Sequence, residues 1–401
     1  MPPHKWWSRS SVDFQEVKPM KAIINRGALL EILSQAANVV PARSPKPILG
    51  CVKISTLNEP GGNALRVMAT DMEVTLESTL GQVEVKEPGS ALLPAMKFLE
   101  IITSAPDDTL VLETNGDQTT IMGSDSVFKL LGFNSEEFPP ISGFEGQPDF
   151  SLSAGTLKTM LDRTRFAAAK EMSRYAINGV LFERKGKKLM LVATDGHRLA
   201  QTQDQVIAAD AKEIASVVPL KAISLLERLL VHPENVVHLQ FRENKLYAHV
   251  VEQTADGKPA TSVGTILSSV LVEGLFPPYQ DVIPKDCDRK VTLKREEFFS
   301  AVKRSALLTN EESKGVKLSF SAKQLVVTSR APETGDAKVT MNVSYSGEPI
   351  DIGFNPHYLA DALKVATVDE VVLEMKASTK PGILRLGPDF LYVIMPVSLP
   401  S

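Results

Sequence analysis

The feature that most constrains this chain is its threefold internal repetition. A short alternating strand followed by an amphipathic helix appears as KAIINRGALLEILSQAANVV, then as DFSLSAGTLKTMLDRTRFAA, then as RKVTLKREEFFSAVKRSALL. Ile24, Leu152 and Leu293 close the three strands, 128 and 141 residues apart. Apolar residues at i, i+3 and i+4 then mark one face of each helix. That face is Leu29, Leu30, Leu33 and Ala37 in the first copy, and Leu157, Met160, Leu161 and Thr164 in the second. In the third it is Phe298, Ala301, Val302 and Ser305. A second helix carries proline near its first turn in PAMKFLEII, PLKAISLLERLL and PHYLADALKVA. Proline is tolerated there because the first helical N–H groups have no intrahelical partner to lose. Pro94, Pro219 and Pro356 stand 125 and 137 residues apart.

Between the two helices each copy carries alternating strands. They read CVKISTL with ALRVMATDMEVTLE, GVLFERK with KLMLVATDGHRLAQ, and GVKLSFS with QLVVTSRAPE. Strand pairs with a polar turn follow the second helix, in TLVLETNGDQTTIMG, VVHLQFRENKLYAHV and VVLEMKASTKPGILRL. The period is too long for a solenoid repeat of roughly 20–50 residues. It predicts an α+β chain of three repeated domains, each with two helices and about eight short strands in antiparallel sheets. The domains are expected at 20–147, 148–287 and 288–401, with residues 1–19 as an N-terminal extension outside the fold. The short boundaries imply domains that abut.

Composition narrows the function. Lys and Arg number 44 against 48 Asp and Glu, so the chain is not basic overall, although a local basic face is compatible with that balance. Two cysteines, Cys51 and Cys287, exclude a disulfide framework and suit a reducing, cytoplasmic setting. No apolar run approaches the roughly 18–20 residues a membrane helix needs, and residues 1–19 lack the apolar core of a secretory signal. The chain has no G-x-x-x-x-G-K-[ST], G-x-G-x-x-G, C-x-x-C, H-E-x-x-H or G-x-S-x-G motif. Its six histidines never sit at metal-ligand spacing, so neither a cofactor nor a metal is expected.

One cluster is chemically dense: Thr194-Asp195-Gly196-His197-Arg198. Asp195 and His197 could be an orienting carboxylate and a base, as in a hydrolase. They could equally be a strand end entering an Asp-Gly turn. The first copy has Ala69-Thr70-Asp71 at the matching place without the His and Arg. The Ala-Thr-Asp part therefore reads as architecture, and Gly196-His197-Arg198 as special to the second copy.

With these residues the chain resembles the bacterial DNA polymerase III beta subunits, the sliding clamps. The resemblance is carried by ATDGHRLA at 193–200, RYAINGVLFE at 174–183, PILG at 47–50 and YVIMPVSL at 392–399, and it spans about residues 20–399. It implies a DNA-clamp fold, non-catalytic, in which two chains join head to tail as a homodimer and close a ring on double-stranded DNA. Topology then holds the polymerase to its template, and few phosphate contacts are needed. The stretch 158–174 holds Lys158, Arg163, Arg165, Lys170 and Arg174 against Asp162 and Glu171. By resemblance the DNA contacts fall on Arg43, Lys97, Tyr175 and Lys221.

The resemblance also implies a groove for short linear peptides resembling Gln-x-x-Leu-Phe. Its expected bearers are the DNA polymerase III catalytic subunit, the clamp loader, other DNA polymerases, ligase and mismatch-repair proteins. The groove residues carried over by motif are Arg174, Ile177, Thr194, Gly196, His197, Arg198, Leu199, Pro277 and Val282. From the third copy come Asn355, Tyr358, Thr379, Pro381, Val393, Ile394, Met395, Pro396 and Val397. The chain departs from the family pattern in five places. Met96 and Leu220 stand where a basic residue is frequent, and so does Asp281 on the groove rim. The C-terminus reads Val397-Ser398-Leu399-Pro400-Ser401, and residues 253–268 exceed the usual turn by about ten. The alternatives to an encircling clamp are a hydrolase built on Asp195 and His197, and an interaction scaffold that does not encircle DNA.

Overall fold

The computed structural model describes residues 19–41, 43–59, 62–171, 175–208, 212–253, 259–309, 315–331 and 335–398. These form two compact units. One holds the chain up to Ser142 with Thr261–Thr265; the other holds Gly143–Ala260 and the chain from Ile266 onward.

The repeat is visible first at the strand-to-helix corners. Met20–Asn25, Phe150–Ser153 and Arg289–Lys294 each feed directly into a helix: α1 (Arg26–Ala37), α3 (Ala154–Thr164) and α5 (Arg295–Ser305). Asn25 accepts the Ala28 N–H at 2.9 Å, and Ser153 accepts the Thr156 N–H at 3.0 Å, each side chain satisfying a donor that the first turn cannot. Helix α5 has no side-chain cap; Glu296 and Glu297 in its first turn and Lys303 and Arg304 in its last match the helix dipole instead. The predicted faces of α3 and α5 are buried at all eight positions. In α1 the buried stripe is Leu29, Leu33 and Ala36, with Leu30 and Ala37 half-buried. Steps of four and three keep a 3.6-residue helix on one line, and Ala37 rotates off it.

The second helices are α2 (Ala95–Ser104), α4 (Leu220–Leu229) and α6 (Pro356–Val365). Pro94 and Pro219 stand at the N-cap, one position earlier than Pro356, which is the first helical residue. Helix α1 packs on α2, α3 on α4 and α5 on α6.

The sheets repeat as well, all antiparallel. In the first unit, Ser90–Pro94, Cys51–Glu59, Gly62–Thr70 and Val74–Leu80 lie side by side in that order. A five-stranded sheet runs Val83–Glu87, Met20–Asn25, Thr109–Asn115, Gln118–Met122 and Val127–Leu131. The second copy reproduces the first order as Ile214–Pro219, Gly179–Lys185, Lys188–Thr194 and Arg198–Gln205. The third does so as Ile350–Phe354, Val316–Ser321, Gln324–Ala331 and Gly335–Asn342. Among the described residues the three copies have nine, nine and eight strands.

In the second unit the two copies share one eight-stranded sheet. Arg198–Gln205 of copy two pairs with Phe390–Ile394 of copy three, in the register Arg198↔Ile394, Leu199↔Val393 and Ala200↔Tyr392. For the long 253–268 segment the sequence predicts a hairpin or loop; of it, the ends of Lys245–Gln253 and Pro259–Val270 are described, as neighbouring strands, and residues 254–258 lie outside the described set. No helix among the described residues is long and apolar enough to cross a membrane.

Candidate functional site

The Thr194–Arg198 cluster is a tight turn between two strands, not a strand running through. Asp195 Oδ1 accepts the N–H groups of His197 (2.9 Å) and Arg198 (3.1 Å). Thr194 Oγ1 accepts the Gly196 N–H at 3.1 Å and donates to the Arg198 carbonyl at 2.6 Å. The first copy builds the same turn. Asp71 Oδ1 takes the N–H groups of Glu73 (3.0 Å) and Val74 (2.7 Å), and Thr70 Oγ1 takes that of Met72 (3.1 Å). The expected single strands ALRVMATDMEVTLE and KLMLVATDGHRLAQ are therefore each two strands. The aspartate competes for backbone N–H groups and folds the chain back. The turn needs a positive φ at its third residue: +88° at Gly196, but +81° at Met72, where a side chain must bear the strain.

This geometry removes the acid–base reading. Asp195 Oδ1 is spent on the turn and Oδ2 on Arg198 Nε at 3.0 Å. The exposed His197 ring has no hydrogen bond to Asp195, while its carbonyl accepts the Met395 N–H at 2.9 Å.

Arg198 is instead the centre of a junction between copies two and three. Its Nη1 reaches Asp361 of α6 at 2.7 Å, and its Nη2 donates to the Phe166 carbonyl at 2.7 Å. The guanidinium lies 4.2 Å from the Tyr358 ring centre and 5.4 Å from that of Phe166. Tyr392 completes this side, its hydroxyl donating to the Tyr358 carbonyl at 2.9 Å; burial pushes its pKa far up. Burial also raises that of Tyr358, with Asp195 adding to it and Arg198 opposing.

Strand alternation divides the expected groove residues between two faces of the sheet. Arg198 and Ile394 share the helix side with Tyr392. Leu199 and Val393 pair on the other face, where they join Ala176, Leu181, Val192, Val217 and Tyr279 in one apolar cluster, with Phe276 and Ile283 packed against it. Around this floor stand Met395 and Val282, 41% and 50% exposed, with His197 and Gly196 also exposed and Pro277 and Ile177 half-buried. The Val397 N–H is tied to the Gly353 carbonyl at 2.9 Å, and Pro396 between them is half-buried. Asn355 spends its side chain as the cap of α6, accepting from the His357 N–H at 3.0 Å. Thr379 is exposed and Pro381 half-buried, in the turn leading to Gly382–Arg385 beside the last strand. Arg174 lies outside the described residues.

Sequence reasoning missed Phe166, Phe276, Tyr279 and Asp361. Asp361 follows Tyr358 by three on α6, a spacing that puts both on one side of a helix and was available in the sequence. Tyr279 had no such signal.

The four expected DNA contacts, Arg43, Lys97, Tyr175 and Lys221, are all exposed. Lys97 pairs with Glu100 at 2.7 Å. Lys221 is the second residue of α4, and partial burial lowers its pKa. The basic run at 158–174 is less free than its count. Arg165 is held by Glu227 at 2.6 Å, and Arg163 lies over the Phe390 ring at 5.7 Å, leaving Lys158 and Lys170 exposed without ion pairs among the described residues.

Threefold domains, two helices each among the described residues, with one sheet shared by copies two and three, define a protein of the DNA-clamp class. Models of the N-terminal, central and C-terminal domains of the DNA polymerase III beta subunit match residues 20–142, 151–277 and 280–398. The beta sliding clamp of Vibrio cholerae is 34% identical over 95% of this chain and 100% of its own length, and that of Escherichia coli K12 is 30% identical over the same shares. The DNA polymerase III beta subunit structure from Pseudomonas aeruginosa superposes with a TM-score of 0.86 at 31% identity, covering 95% of this chain and 100% of that one. A sliding clamp from the same organism solved with griselimycin bound gives 0.85 at 30%, with the same coverage. The chain belongs to the DNA polymerase III beta subunit family. It is a DNA sliding clamp and catalyses no reaction itself.

Proposed function

We propose that two copies of this chain join head to tail into a ring around double-stranded DNA. Sheet topology supports the reading. Where copy two meets copy three, the outer strand of a four-stranded sheet, Arg198–Gln205, pairs with the last strand of the next copy, Phe390–Ile394. By the repeat, the counterpart of Arg198–Gln205 in copy three is Gly335–Asn342, and the counterpart of Phe390–Ile394 in copy one is Val127–Leu131. Each is the last strand of its sheet, with no neighbour on its outer edge among the described residues. Phe390–Ile394 is buried at four of five positions, whereas Val127, Phe128 and Leu131 of its counterpart are exposed. An exposed apolar edge strand awaits a partner. Pairing Gly335–Asn342 of one protomer with Val127–Leu131 of its partner, twice, closes a ring.

Within this reading the domains run 20–147, 148–287 and 288–401, with residues 1–19 an extension. Arg43, Lys97, Tyr175 and Lys221 are the DNA contacts. The groove around Leu199, Val393, Met395 and His197 takes linear peptides of the DNA polymerase III catalytic subunit, the clamp loader, other DNA polymerases, ligase and mismatch-repair proteins. The location is cytoplasmic. The test is solution mass together with retention on DNA. A head-to-tail pair weighs about 87 kDa, twice the 43.7 kDa chain. Loaded protein should stay on a closed DNA circle and slide off once the circle is linearised. A monomer, or equal loss from both, refutes encirclement and favours the scaffold.

A further inference from the structure

A cavity of about 520 Å³ adjoins the groove, sharing Leu181, Val217 and Phe276 with its apolar cluster, while Glu243, Asn244 and Glu273 line the cavity alone. Pro277 belongs to both. Tyr279 connects them: its ring packs in the Leu199–Val393 cluster, and its hydroxyl, in the cavity wall, donates to Glu183 at 2.6 Å. The apolar lining includes Val217, Val272 and Phe276, with Leu275 83% exposed at the mouth. The charged lining is of one sign. Glu183, Glu243, Glu273 and Asp281 contribute, and no Lys, Arg or His does. Glu183 is answered by Lys185 at 3.0 Å. Glu243, Glu273 and Asp281 are exposed and have no ion pair among the described residues.

We propose that this cavity extends the peptide groove and receives a lysine or arginine flanking the peptide's apolar anchors, so that this clamp selects partners with basic-flanked motifs. The proposal rests on the groove reading above. Its physical basis is charge complementarity beside an apolar floor: the stem of a long basic side chain covers Val272 and Phe276 while its cationic end meets the free carboxylates.

The experiment uses the full chain and three fluorescent peptides with one core, Gln-Ala-Asp-Leu-Phe, flanked on both sides by lysine, serine or glutamate. Anisotropy at low salt should rank lysine over serine over glutamate, with the outer two roughly five- to twentyfold apart. The double variant Glu243→Gln with Glu273→Gln, both exposed and outside the groove, should collapse that ratio towards one while leaving the serine peptide's affinity and the thermal midpoint unchanged. A control double variant, Glu87→Gln with Glu348→Gln, both exposed and outside the cavity lining, removes the same two charges and should preserve the ratio. Equal affinities for all three peptides, or a ratio that survives the double variant, would overturn the proposal while leaving the groove intact. Failure of the serine peptide to bind at all would sink the groove itself, and the proposal with it.

Discussion

The edge strand Val127–Leu131 offers the sharpest test of how the chain assembles. Val127 and Leu131 are 63% and 68% exposed, so replacing both with lysine removes little from the folded protomer. Full burial of a valine or leucine is worth roughly 1.5–3 kcal/mol. About two-thirds of that remains to be gained here, hence about 1–2 kcal/mol per residue and about 2–4 kcal/mol per interface. A ring of two chains has two such interfaces, so the double variant forfeits about 4–8 kcal/mol of association. At about 1.4 kcal/mol per tenfold, the dissociation constant rises by at least roughly a thousandfold. Lysine on an edge also discourages strand addition directly. Sedimentation at micromolar concentration should show the parent chain as the double mass and the variant at 43.7 kDa, with an unchanged thermal midpoint for the protomer. A variant that still sediments at the double mass would refute the argument from repeated topology.

Three further outcomes follow from single residues. Met72→Gly should raise stability by about 1 kcal/mol in chemical denaturation, since glycine relieves the +81° φ at a cost in unfolded-chain entropy smaller than the strain; a loss would mean that the exposed methionine side chain contributes contacts. Arg198→Met should cost about 2–3 kcal/mol, because Asp195 and Asp361 lose their shared cation; hydrogen exchange should rise first along Arg198–Gln205 and Phe390–Ile394, and uniform loosening would contradict the junction described. Burial holds the folded pKa of His238 and His249 below the ordinary 6.5, so the unfolded chain takes up protons first. Their stability contribution is complete above pH 6.5 and falls as pH drops from there through the folded values. His249→Gln should flatten the melting-temperature profile in that window.

The sequence made the repeat legible because burial writes a period, and three copies write it three times. Ile24, Leu152 and Leu293 are each nearly inaccessible at the same corner. Two helix faces could be read residue for residue because their apolar stripe has no competing neighbour; the Leu30 and Ala37 positions of α1 misled because apolar residues on both flanks widen the apparent face. The turn at Asp195-Gly196 was one of the two readings the sequence offered, through its Asp-Gly pair, whereas the matching break at Asp71 was missed for a different reason. Alternation continues through Asp71, which Met72 and not glycine follows, and only the side-chain-to-backbone hydrogen bonds show that the chain has turned.

The site was legible in its parts and not in its arrangement. Leu199 and Val393 are strand-core residues by pattern, and only the pairing of their two strands sets these residues, 194 apart in sequence, side by side in one apolar cluster. Pairing also explains why Arg198 is not a free rim donor: its neighbour in sequence faces the groove, so it must face the helices, where Asp361 and Tyr358 already wait. Packing also thins the free charge of the basic stretch at 158–174. Arg163 lies over Phe390 and the exposed Arg165 is paired with Glu227, so Lys158 and Lys170 are left without an ion pair among the described residues. For a protein retained by topology that is a workable arrangement, because each phosphate neutralised adds salt-dependent affinity and would oppose sliding. In the ring proposed above, mobility on the duplex and retention on it would come from different residues: the first from cations committed elsewhere, the second from the strand edges that close it.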